Sequence, residues 1–98
     1  MPSIYVIAEH GTHSPVKIGM SDNWWARLAT LQTGNHRLLE IRAFFRIDSR
    51  ALAYSLETMV HGRFSESAIR GEWFSVDVET AIRYIKDCGG GRVQRVTG

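Results

Sequence analysis

The chain has 98 residues, 44% hydrophobic and 22% charged, enough for one packed core and too few for two. Its formal charge of +2 is compatible with a polyanionic partner but does not demand one. A single cysteine, Cys88, excludes an intrachain disulfide and a cysteine-built metal centre, and fits a reducing compartment. The apolar run Ile4 to Ala8 is too short for a secretory segment, and nothing approaches the roughly eighteen apolar residues of a membrane span. A cytoplasmic domain without membrane contact is expected.

Ser3 to Glu9 is rich in β-branched and aromatic residues and predicts a strand. His10 to Pro15 is a turn punctuated by glycine and proline, and Val16 to Met20 predicts a second strand, so the two form an antiparallel hairpin. Gly19 inside that strand marks a bulge or a point where another group approaches the backbone closely. Ser21, Asp22 and Asn23 offer caps for a helix from Trp24 to about Gln32. Its Trp24, Leu28 and Leu31 share one face, expected to point to the core, and Gly34-Asn35 ends it.

Leu38 to Ile47 predicts a third strand, with Leu39, Ile41, Ala43, Phe45 and Ile47 on one apolar face. Asp48 or Ser49 then caps a helix to about Phe64, with Leu52, Leu56, Met59, Val60 and Phe64 as its apolar stripe. A polar loop, a short extended piece from Gly71 to Val76, and a helix from Val78 to Asp87 capped by Asp77 follow. Gly89-Gly90-Gly91 closes that helix. The expectation is an α+β fold, a small three-stranded, mainly antiparallel sheet flanked by helices in the order β-β-α-β-α with a C-terminal helix. Residues 1–88 make up one domain, and residues 89–98 a flexible, glycine-rich basic tail.

Among the polar residues, Arg50, Tyr54, Glu57 and His61 fall at steps of 4, 3 and 4 and so share one stripe of the second helix. That stripe reads either as a solvated face with an i,i+4 Glu–His pair or as a carboxylate and imidazole at a phosphate-handling site. A lone glutamate can hold Mg²⁺, which keeps several waters and needs few protein ligands. Tyr5 shares a strand face with Ser3 and Ile7. Lys17 lies between Val16 and Ile18, which point the other way, and Arg27 sits on the first helix. Trp25 points away from Trp24 and is the ring expected at the surface, where it can stack on a base or sugar or serve an interface. His10 and His13 have a metal-like spacing but lie in a turn without a third ligand, and read as loop.

Four pieces then occur in order: Val16-Lys17-Ile18-Gly19, Arg27-Leu28-Ala29-Thr30-Leu31-Gln32-Thr33-Gly34-Asn35, Glu57-Thr58-Met59-Val60-His61, and Gly71-Glu72-Trp73-Phe74. Together with Tyr5 on the first strand they resemble the GIY-YIG nuclease superfamily, in the branch of phage and bacterial open reading frames with a V-K-I-G … G-E-W-F pattern. The likeness runs from about Ile4 to Val76. Ser3 stands where the superfamily name has its first glycine, and Lys17 where it has its second tyrosine.

The resemblance implies a metal-dependent endonuclease hydrolysing phosphodiester bonds in DNA, with RNA also open. It implies that Glu57 holds Mg²⁺ or Mn²⁺, that Tyr5 orients or deprotonates the attacking water, and that Arg27 stabilises charge on the scissile phosphate. Lys17 would lower the Tyr5 pKa or bind phosphate itself, and His61 would relay a proton or hold a metal-bound water. A homodimer is compatible with concerted cutting of two strands. A non-catalytic nucleic-acid-binding module and a protein-interaction regulator on the same fold are the competing functions.

Overall fold

The computed structural model describes residues 2–89 and 93–96. The β-branched segment Ser3–Glu9 forms the central strand β1. It pairs antiparallel with β2 (Val16–Ser21), placing Tyr5 opposite Gly19 and Ile7 opposite Lys17. On its other side it pairs antiparallel with β3 (Leu39–Ile47). The sheet is larger than the three strands expected. Beyond β2 lie β4 (Ala68–Arg70) and β5 (Trp73–Phe74), and beyond β3 lies β6 (Val93–Val96). Among the described residues the order is β4-β5-β2-β1-β3-β6, antiparallel throughout.

The additions have physical causes. Gly71, at φ 58°, takes the left-handed conformation that lets the chain reverse between β4 and β5. Residues 93–96 were expected in a flexible tail, yet they pair with Phe44–Ile47 of β3. The glycines before them hid a segment with a valine at each end. Gly89 is the last residue of the final helix, while Gly90 and Gly91 lie outside the described residues.

Each of the three α-helices among the described residues starts at a side-chain cap. Asn23 Oδ1 accepts from the Ala26 N–H at 3.1 Å to start α1 (Trp24–Thr33). Ser49 Oγ accepts from the Leu52 N–H at 3.1 Å to start α2 (Arg50–Arg63). Asp77 accepts from the Glu79 N–H at 3.0 Å at the start of α3 (Val78–Gly89). Among the described residues no helix is long and apolar enough to cross a membrane.

The sheet separates two unequal apolar layers. Ile4, Val6 and Ala8 of β1 face α2 and α3, where Ala53, Leu56, Val60, Ala81, Ile82 and Ile85 complete the main core. Tyr5, Ile7 and Leu39 face α1, with Leu28, Leu31, Ile41 and Phe44 packed against them. The β3 alternation does not stay on one face as expected. A bulge takes Arg42 out of register between the pairs Val6–Ala43 and Ile7–Ile41, and one extra residue inverts every side chain beyond it. Leu39 and Ile41 therefore join the α1 layer, and Ala43, Phe45 and Ile47 the main core.

Three other expectations are corrected. Trp24, Leu28 and Leu31 point to the sheet, but no residue of α1 is fully buried. Met59 is 51% exposed; Ala53 and not Met59 fills the stripe with Leu56 and Val60, because Met59 is rotated about 100° from Val60 around the helix. Leu38 is exposed and precedes the strand.

Candidate active site

Of the residues singled out in the sequence, Tyr5, Lys17, Arg27, Glu57 and His61 gather around Gly19. Tyr5 projects from β1 on the α1 side of the sheet, and its ring is 1% exposed. It crosses β2 so closely that a Cβ built on Gly19 would stand 2.3 Å from Tyr5 Oη and 2.7 Å from Glu72 Oε1. The glycine is required by this close approach, one of the two reasons its place in the strand suggested. Ser3 is buried beside this point and donates its hydroxyl to the Ser21 carbonyl at 2.9 Å, which satisfies the buried polar group.

Arg27 reaches down from α1. Its Nε–H points at Tyr5 Oη across a long contact of 3.5 Å. Lys17 is buried on the same sheet face, with Nζ 3.6 Å from Glu72 Oε1 and 5.8 Å from the centre of the Trp73 ring. The cation touching the tyrosine is thus Arg27, whereas Lys17 is engaged by Glu72. The notion that Lys17 lowers the Tyr5 pKa is corrected accordingly. Burial pushes the Tyr5 phenol above its ordinary value, the Arg27 hydrogen bond opposes this, and the nearby Glu72 charge adds to the rise. At neutral pH the phenol keeps its proton and can donate it in a hydrogen bond.

Glu57 and His61 come from the opposite side, on α2. Their stripe divides in two. Arg50 and Tyr54 are exposed, with Arg50 paired to Asp22, while Glu57 and His61 turn onto the outer edge of β2. β5 pairs with β2 only at Val16 and Lys17, and the Glu72 carbonyl accepts from the Ile18 N–H at 3.1 Å. Beyond that the edge is completed by side chains. His61 Nε2 lies 2.8 Å from the Ile18 carbonyl oxygen, and Glu57 accepts from the Met20 N–H. An i,i+4 carboxylate–imidazole pair spans two such backbone groups on one strand edge. Donation from Nε2 leaves His61 Nδ1 as the lone-pair nitrogen of the neutral ring.

One ligand atom from each of Glu57, His61 and Glu72 lies within 4.8 Å of the others. Glu72 was read only as part of an extended motif, and its place in the cluster was missed. The signal was the Gly71-Glu72 pair, since the left-handed glycine turns Glu72 back beside β2. The set fits a divalent cation on three observations. It offers two carboxylates and an imidazole. Glu72 Oε1 is buried with no hydrogen-bond partner, only the longer ion pair to Lys17 at 3.6 Å. Burial and then the Glu72 charge push the Glu57 carboxyl above its usual range, against the His61 and Met20 contributions, a repulsion that a bound cation relieves. His10 instead contacts Glu40, Nδ1 to Oε2, at 2.6 Å, and His13 is exposed.

The arrangement offers a guanidinium and a phenol on one side of Gly19 and a carboxylate–imidazole cluster on the other. No curated protein and no solved structure matches the chain. A profile of the T5orf172 domain matches residues 3–89, from β1 to the end of α3 and across every residue of this cluster. The chain therefore belongs to the phage-associated T5orf172 domain family.

Proposed function

We propose that the chain is a divalent-metal-dependent endonuclease of GIY-YIG type, hydrolysing phosphodiester bonds in DNA. The observation that carries this reading is the convergence of Tyr5, Lys17, Arg27, Glu57, His61 and Glu72 on Gly19, from two strands, two helices and the turn before β5. Membership of a phage-associated family supports it.

In the proposed mechanism Arg27 holds a non-bridging oxygen of the scissile phosphate, where its forked donors meet the growing negative charge. The Tyr5 hydroxyl, protonated and fixed in the sheet, donates to the phosphate or to the attacking water and sets the line of attack. His61 Nδ1 takes the proton that water loses as the new P–O bond forms and the old one breaks. Lys17 holds Glu72 in place and adds positive charge beneath the phosphate. Glu57, with Glu72 beside it, would hold Mg²⁺ or Mn²⁺, which when bound would supply Lewis-acid stabilisation of the phosphoryl oxygens and leaving group.

The test is cleavage of supercoiled plasmid with Mg²⁺, Mn²⁺ and chelator, comparing wild type with Glu57→Gln and Glu57→Ala. Metal-dependent nicking that falls at least about 100-fold in both variants is expected. Cutting that survives in both, or a folded wild type that never cuts, refutes the proposal. Salt-sensitive DNA binding in the second case would identify a non-catalytic binding module.

A further inference from the structure

A second cluster on the α1 side of the sheet takes no part in the chemistry above. Ser3, Asp22, Trp24, Trp25, Phe44 and Arg46 line an open cleft of about 340 Å³, at the small end of sites that hold a ligand. Three rings lead out of it. Phe44 lies on β3 directly opposite Tyr5. Trp24 is tilted over Phe44 with centroids 4.7 Å apart, and Trp25 stands edge-on to Trp24 at 5.5 Å. Trp25 is 60% exposed, an uncommon position for the largest side chain unless it has a contact to make.

The polar lining is as selective. Asp22 is engaged by Arg50. Arg46 is exposed and, among the described residues, has no ion-pair or hydrogen-bond partner. The cleft thus presents aromatic faces and an exposed guanidinium. It also shares its floor with the proposed site. Ser3 is two residues from Tyr5 on the same strand face, a step of about 6.8 Å, and Trp24 is one turn before Arg27.

We propose that this cleft binds an unpaired nucleobase of the substrate strand, stacked on Trp25 and Trp24, with the adjoining phosphate on Arg46. A base inside a duplex has both faces covered by its neighbours, so only a single-stranded, frayed or flipped base can offer a face to these rings. The ligand class is therefore single-stranded nucleic acid, or a junction containing it, with the bound base close to the phosphate held by Arg27. That last clause rests on the nuclease reading, whereas occupancy of the cleft does not.

The test is binding without cutting. In chelator, a labelled eight-nucleotide single strand, the same strand with an abasic site at each position in turn, and its duplex are titrated by anisotropy against wild type, Trp25→Ala, Trp25→Phe and Arg46→Ala. Wild type is expected to prefer the single strand and to lose roughly 5- to 150-fold at one abasic position. Trp25→Ala should show the same loss and become indifferent to that abasic site, and Trp25→Phe, which keeps a stacking face, should restore most of it. Arg46→Ala should flatten the dependence of log affinity on log salt by about 0.7, one phosphate contact on a single strand. Equal affinity of wild type and Trp25→Ala, or no abasic penalty at any position, overturns the proposal. So does a dimer that dissociates in Trp25→Ala while nucleic-acid affinity stays unchanged, since the face then joins two copies of the chain. Failure of the plasmid assay with the abasic pattern intact would remove the nuclease reading and leave the base site standing.

Discussion

Gly19→Ala probes the central claim, that Tyr5 and Glu72 meet over the β2 backbone. The added methyl would lie 2.3 Å from Tyr5 Oη, 2.6 Å from Tyr5 Cζ and 2.7 Å from Glu72 Oε1. Carbon atoms do not approach that closely, so at least one group must move by most of an ångström. Tyr5 is 1% exposed and held in the α1-side layer with Ile7 and Leu39, so its displacement disturbs that layer. Overpacking of this kind costs about 1–3 kcal/mol, or a fall in Tm of about 5–20 °C for a chain of this size. Displacement of catalytic groups by about 1 Å lowers rates on the order of 100-fold. Thermal unfolding by circular dichroism and plasmid cleavage measure the two effects. Gly62→Ala is the internal control. It lies in α2 with nothing within 4 Å of the added Cβ, and should stabilise by about 0.5–1 kcal/mol. A Gly19→Ala protein with wild-type Tm and wild-type cleavage would mean that Tyr5 and Glu72 do not sit where the structure has them.

Tyr5→Phe keeps the packed ring and removes only the hydroxyl; cleavage should fall about 100-fold with little change in Tm, and a retained rate would remove Tyr5 from the mechanism. Glu57→Gln tests the raised carboxyl pKa. A carboxyl whose folded pKa exceeds its unfolded value contributes stability below the unfolded value and loses it as pH rises through the raised one. The metal-free variant should therefore melt above wild type at pH 7.5, with the gain vanishing towards about pH 4. In the same scans, Mn²⁺ or Mg²⁺ should raise the wild-type Tm and chelator should reverse it, while Glu57→Gln responds weakly. Asn23→Ala removes the α1 cap and should cost about 1 kcal/mol. Because α1 buries no residue fully, frayed ends should disturb Arg27 and cut cleavage more than a generic loss of stability does; cleavage falling only in step with Tm counts against this.

Much of the site was legible because its spacings are local. The i,i+4 step brings Glu57 and His61 onto one helix face, and alternation puts Ser3, Tyr5 and Ile7 on one strand face. Gly19 could be flagged as a close approach before its neighbour was known. The parts that escaped depend on long-range contacts. Nothing near Glu72 says that it returns to β2, 55 residues earlier than the Glu72 position at Lys17. The Lys17 partner therefore could not be chosen between Tyr5 and Glu72. The β3 bulge at Arg42 has no glycine to announce it, so strict alternation assigned Leu39 and Ile41 to the wrong layer. β6 was missed because a short strand at the end of a chain, behind three glycines, has too few residues for a periodic signal.

The contacts of Glu57 and His61 with β2 have a consequence for solubility. An exposed strand edge recruits strands from other molecules. At Ile18 and Met20 two α2 side chains occupy the position where an incoming strand would bond. Alanine at either position is expected to uncover a template for aggregation in addition to any loss of the proposed cleavage. Glu57→Gln separates the effects, since an amide oxygen still accepts from the Met20 N–H while the charge is gone. The side chains that would cut another polymer also keep this one from joining its neighbours.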